Sequence, residues 1–107
     1  MRVYIAGPLT TNAPTEADKK RNIRRAIDTA EQLVHLGHTP YIPHLCYLWE
    51  MCYPHDYNFW LSYDISWLKM CDALYRMEGA SNGADFEVQQ ARSFGIPVSY
   101  SLDWFRR

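Results

Sequence analysis

The chain has 107 residues, enough for one compact domain of ordinary size and too few for a second. A hydrophobic fraction of 48% and a charged fraction of 21% exclude a disordered polymer, while a net charge of -1 offers no overall positive field to attract nucleic acid or an anionic membrane. The three cysteines, Cys46, Cys52 and Cys71, are an odd number without CxxC spacing, which argues against a disulfide framework or a zinc site and suits a reducing cytoplasm.

The opening MRVYIAGPLT has one basic residue and an apolar run too short for a signal peptide. Within it, residues 2–6 are β-branched and aromatic and end at Gly7-Pro8, the pattern of a buried strand stopped by a turn. From about Ala17 the apolar positions Ile23, Ala26, Ile27, Ala30, Leu33 and Val34 recur at helical spacing, and Gly37 follows as a stop. Residues His38 to Ile42 form a second short strand, so the first forty residues spell one right-handed βαβ unit.

Residues 43–55 mix prolines, histidines and aromatics without a clean period and are expected to form a loop or lid, with at most one helical turn. A helix is expected from about Tyr57 to Met70, on Trp60, Leu61, Ile65 and Leu68, followed by a strand at Ala73-Leu74-Tyr75. The turn-rich GASNGA leads into a helix over Ala84–Phe94, and Ile96–Tyr100 reads as a fourth strand. Alternating strands and helices with short connections imply an α/β fold in one domain over residues 1–107. It is expected to be a doubly wound, Rossmann- or flavodoxin-like parallel sheet of four to five strands with helices on both faces.

In such sheets the ligand crevice opens at the carboxyl ends of the strands, so the loops after Ala6, Ile42 and Met77 are expected to share one rim. The loop Gly79-Ala80-Ser81-Asn82-Gly83 runs straight into a helix whose first N–H groups lack partners and suit an anion, although small residues there are equally ordinary capping chemistry. Glu87 lies three residues after Ala84 and four before Ala91, on the stripe that should face the sheet. Alone it could be a first-turn acid complementing the helix dipole. Asp64, four residues after Trp60 and four before Leu68, places a second carboxylate on the apolar stripe of a second helix. Two such violations in one small domain point to a shared site.

A pair of carboxyls, one ionised and one protonated, is the equipment for displacement at the anomeric carbon of a sugar. Tyr4, mid-strand, could orient one of them through its hydroxyl or be a core tyrosine satisfied by backbone. His44 follows the second strand and could reach the rim, whereas His35 and His38 suit a helix end and His55 has no recognisable partner. The cations of Asp18-Lys19-Lys20-Arg21, with Arg24 and Arg25, read as a solvated helix face, with one of them reaching a substrate phosphate as the second reading. The aromatics from Tyr47 to Trp67 read as core or interface ahead of a base-stacking cage, and part of the aromatic excess is expected to line a pocket or a subunit interface.

These residues resemble the nucleoside 2-deoxyribosyltransferase superfamily, and within it the short DUF4406-type branch. VYIAGPLT is similar to that branch's strand and Gly-Pro loop, DISWLKMCDAL to its Asp-bearing helix running into the third strand, and SNGADFEVQQARSFGIPV to its glycine-to-glutamate motif and final βα unit. The resemblance implies that Glu87 is the nucleophile forming a glycosyl-enzyme, that Asp64 assists departure of the base and that Tyr4 positions the glutamate. It also implies a substrate pocket built from Gly7, Pro8, Leu9, His44, Ser81, Asn82 and Gly83. Ser81 matches the serine that 5′-monophosphate N-hydrolases place six residues before the glutamate, where the transferases carry an acid. The Gly7-Pro8-Leu9-Thr10 loop departs from those hydrolases in lacking their serine and arginine. The expected activity is therefore cleavage or transfer at the N-glycosidic bond of a nucleoside or nucleotide, without metal or organic cofactor. The expected assembly is a homodimer or higher homo-oligomer. A non-catalytic nucleotide-binding or sensing module on the same fold is the alternative.

Overall fold

The computed structural model describes residues 1–106. Strand β1 (Arg2–Ala6) is followed by helix α1 (Glu16–His35) and strand β2 (Thr39–Tyr41). A 3-10 turn (Pro43–Leu45) then leads into α2 (Cys46–Cys52) and α3 (Tyr57–Leu68). The chain continues through β3 (Ala73–Arg76), α4 (Asn82–Ser93), β4 (Val98–Ser99) and a 3-10 segment over Leu102–Arg106. The four strands are all parallel, in the order β2-β1-β3-β4. The α/β fold is thus the one expected, with four strands.

Strand alternation divides the core in two. Val3, Ile5, Ala73 and Met77 face one way and pack with Ala26, Ala30 and Leu33 of α1 and Phe105 of the terminal 3-10 segment. Tyr4, Ala6 and Leu74 face the other way and pack with Leu68 of α3 and Ala84, Val88 and Ala91 of α4. The period of two therefore commits Tyr4 to the side on which α3 and α4 lie.

Local chemistry sets the helix starts. Thr15 caps α1 in a reciprocal capping box with Asp18, Asp56 accepts from the Phe59 N–H at 2.8 Å to start α3, and Ser81 accepts from the Ala84 N–H at 3.1 Å to start α4. Helix α4 begins at Asn82, two residues before the expected Ala84, because its cap lies within the turn-rich loop. The lid segment holds two helical turns in α2 rather than at most one. No α2 residue is buried, so no periodic apolar stripe was needed to form it. The fourth strand shrinks from Ile96–Tyr100 to two residues: Pro97 has no N–H for the ladder, and the Ser99 hydroxyl donates to the Ser101 carbonyl at 2.8 Å and bends the chain away. Among the described residues no helix is long and apolar enough to cross a membrane.

Candidate active site

Strand order reverses direction between β1 and β3, and the crevice at their carboxyl ends is where an open α/β sheet takes a ligand. A cleft of about 560 Å³ opens there. The loop after β1 supplies Gly7 and Leu9, the turn after β2 supplies His44, and the N-terminus of α4 supplies Ser81, Asn82 and Gly83. Asp64 of α3 and Glu87 of α4 border the same space. The three loops expected to share a rim do so.

Glu87 lies on the sheet-facing side of α4 and is 9% exposed. Its Oε2 accepts a hydrogen bond from the hydroxyl of Tyr4, which is fully buried. Burial pushes the Glu87 carboxyl up to about 8, and the nearby charge of Asp64 adds to this; the Tyr4 hydroxyl and the Arg76 guanidinium pull it back. Asp64 is half-buried, and burial pushes it up to about 7 against a hydrogen bond from the Tyr41 hydroxyl to its Oδ1 at 3.2 Å. Tyr4 and Tyr41 are register partners on β1 and β2, with ring centroids 5.4 Å apart. Each tyrosine therefore serves one acid, from adjacent strands on the same face of the sheet. Burial also raises both phenols, so neither supplies a phenolate near neutrality.

His44 is 3% exposed, and its Nε2 lies 3.2 Å from the Gly7 carbonyl. A carbonyl only accepts, so Nε2 carries the proton. Burial lowers this imidazole to about 4, which leaves Nδ1 as a bare acceptor with no hydrogen-bond partner among the described residues. Ser81 is first of all the cap of α4, the ordinary alternative to anion binding, although its own O–H remains free to donate. Pro8 is the exception among the expected pocket residues. It is absent from the lining of the cleft and instead lines a separate depression with Asn22 and Gly79.

Gly7 packs so closely on Met77, the residue after β3, that a Cβ there would stand 2.5 Å from its Cε.

Several residues at the site carried little or no signal in sequence. Arg76, 7% exposed at the end of β3, donates to the carbonyls of Met77 and Gly79 and pairs with Asp85 at 3.0 Å. It thereby ties the loop before α4 to the first turn of that helix. Tyr41 supports Asp64, and Cys46 lies 3.8 Å from the Tyr41 hydroxyl. Tyr47, Tyr57 and Trp60 form an aromatic wall of the cleft, so part of the aromatic excess lines a pocket. Glu50 of α2 stands on that wall, where its Oε1 accepts from Trp60 Nε1–H and from the His55 N–H, both at 2.7 Å. Among the described residues no group of three His, Cys, Asp or Glu side chains is arranged to hold a metal ion.

A family model described as a domain of unknown function, DUF7768, matches residues 1–101. The chain belongs to this family. The resemblance to the DUF4406-type branch rests on the motifs quoted above. Comparison with curated proteins gives no match. Among solved structures, the DUF7768 chain is similar to a 2-deoxyribosyltransferase from the psychrotolerant bacterium Bacillus psychrosaccharolyticus, an enzyme described as a biocatalyst for nucleoside synthesis. The TM-score is 0.59 at 23% identity, over 92% of this chain and 69% of that one. At this identity the likeness is one of fold.

Proposed function

We propose that this DUF7768 protein cleaves or transfers at the N-glycosidic bond of a nucleoside or nucleotide, with Glu87 as nucleophile, Asp64 as acid and Tyr4 positioning Glu87. One observation carries the reading: two carboxyls from different helices, each backed by its own tyrosine hydroxyl, border one cleft and have raised proton affinity. Ordinary packing has no use for two such acids, because burying either one ionised is costly. The transferase-like fold supports the same reaction class.

The chemistry follows from a singly protonated pair. A Glu87 oxygen forms a bond to C1′ as the C1′–N bond breaks, and the departing base nitrogen takes the proton from Asp64. The products of this half-reaction are a glycosyl ester on Glu87 and a free base. Water or a second base then attacks C1′, releases the Glu87 carboxylate and returns a proton to Asp64. With Glu87 and Asp64 at about 8 and about 7 in the empty cleft, the singly protonated form is most abundant slightly above neutral pH. In the empty cleft the deeper burial of Glu87 keeps that proton on Glu87, against the pull of the Tyr4 hydroxyl and Arg76. The reaction therefore runs through the minor form in which the proton has moved to Asp64 and Glu87 carries the charge.

The test is incubation with nucleosides and their monophosphates, with and without an acceptor base. Release of free base is expected, with a new nucleoside where an acceptor is present and the reaction is transfer. Folded protein that binds members of the panel but releases no base from any of them would replace this reading with the binding-module alternative.

A further inference from the structure

The cleft's charges and its aromatic wall narrow the substrate. Its lining includes the carboxyls of Glu50, Asp64 and Glu87 but no lysine or arginine. His44, the one lining residue that could become cationic, is held neutral by burial. Ser81 could offer a phosphate only a neutral O–H, and the exposed cations of α1 do not border this cleft. A dianionic phosphate would enter a space whose formal charges are all negative, offset only by the partial positive charge of one helix end.

Glu50 adds a positive preference. Both of its hydrogen bonds fall on Oε1, and no donor among the described residues reaches Oε2. The Trp60 and His55 donors hold the carboxylate ionised and fix its orientation beside the rings of Tyr57 and Trp60. A flat heterocycle stacked on that wall would meet a fixed acceptor at its edge. An amino group donates to such an acceptor, whereas a keto oxygen in the same place sets lone pairs against it.

Building on the proposed reaction, we infer that the cleft takes an unphosphorylated nucleoside whose base carries an exocyclic amino group, and that Glu50 is the specificity-determining residue accepting from that group. This departs from the 5′-phosphate suggested by Ser81.

The experiment pairs 2′-deoxyadenosine with 2′-deoxyinosine and 2′-deoxycytidine with 2′-deoxyuridine, each with and without a 5′-phosphate. Two quantities are read: kcat/KM for base release by the native protein, and calorimetric affinity for the Glu87→Gln variant, which reports recognition without turnover. The amino member of each pair is expected to be favoured about tenfold or more, as befits a hydrogen bond to a charged acceptor. The 5′-phosphate is expected to weaken both quantities by a similar factor. Glu50→Gln keeps an acceptor for Trp60 and His55 but loses the charge, and should bring the amino-to-keto ratio to within about threefold of unity. Equal or reversed preference in the native protein, a gain from the phosphate, or an unchanged ratio in Glu50→Gln would overturn the inference. If the variant binds amino nucleosides preferentially while the native protein releases no base, recognition by Glu50 stands and the proposed reaction falls. If nothing binds, both fall.

Discussion

Replacing Glu87 by glutamine should stabilise the protein at neutral and alkaline pH while abolishing turnover. In the folded chain burial holds the Glu87 carboxyl at about 8 against an ordinary value of 4.5, so between these limits the native state keeps a proton that the unfolded chain has lost. Stability therefore falls as pH rises: the contribution is intact below about 4.5 and is lost by the time pH passes about 8. Glutamine cannot ionise, and its amide oxygen still accepts from Tyr4. The full shift corresponds to at most about 5 kcal/mol; water entering the cleft reduces this, and about 2–3 kcal/mol in favour of the variant at pH 8.5 is expected. Urea unfolding of both proteins from pH 4.5 to 8.5 measures the difference, which should be near zero at the acid end and grow with pH. Turnover should fall by about 10³-fold or more, as for loss of a nucleophile. A stability difference that stays flat with pH, or that favours the native protein at pH 8.5, would refute the claim that this acid is held protonated by burial.

Four further outcomes follow from the same geometry. Tyr4→Phe removes the hydroxyl that stabilises the Glu87 carboxylate, so the acid limb of the pH–rate profile should move upward and activity at pH 7 should fall about 10- to 100-fold. A purely structural role for Tyr4 would leave that limb in place. The native profile should be bell-shaped with its optimum at about pH 7–8; Asp64→Asn should remove one limb and slow unactivated bases far more than N7-alkylated purines, which leave without a proton. Arg76→Met strips partners from the Met77 and Gly79 carbonyls and should cost about 2–3 kcal/mol in urea unfolding, with faster amide exchange across residues 77–85. Gly7→Ala forces a Cβ to within 3.0 Å of both the Met77 Cε and Cβ and should cost about 1–3 kcal/mol, read as a lowered Tm.

The alternation of strands and helices was legible because each main element buries a face whose period shows in the residues. Glu87 and Asp64 stood out for the same reason: each interrupts an apolar stripe. Tyr41 did not, since its value depends on the parallel register that sets it beside Tyr4, and that register is fixed by a crossover rather than by neighbouring residues. Arg76 sits in ALYR, a segment that reads as an apolar strand ending in an ordinary surface cation, yet its guanidinium folds back onto the loop ahead of α4. Glu50 and Tyr47 lie in α2, a segment with no core-facing stripe, where periodicity carries no information; Trp60 was legible as a helix position, but its place on the cleft wall was not. Ser81 was ambiguous between cap and anion ligand because both uses draw on the same oxygen and the same helix end.

The topology explains why the acids lie where they do. With β1 next to β2 and β3 on opposite edges, α1 covers one face, and the crevice at the β1–β3 boundary can receive helical side chains from α3 and α4 on the other. Strand positions on that face alternate, so Tyr4 and its register partner Tyr41 are the polar groups that β1 and β2 can aim at those helices. A tyrosine hydroxyl lowers the proton affinity of a buried carboxyl without adding a formal charge. A lysine or arginine in the same place would drive both acids to full ionisation and leave no proton for a departing base. Two neutral donors beneath two buried acids thus keep one proton in the cleft near neutral pH, which a cationic scaffold of the same shape would not do.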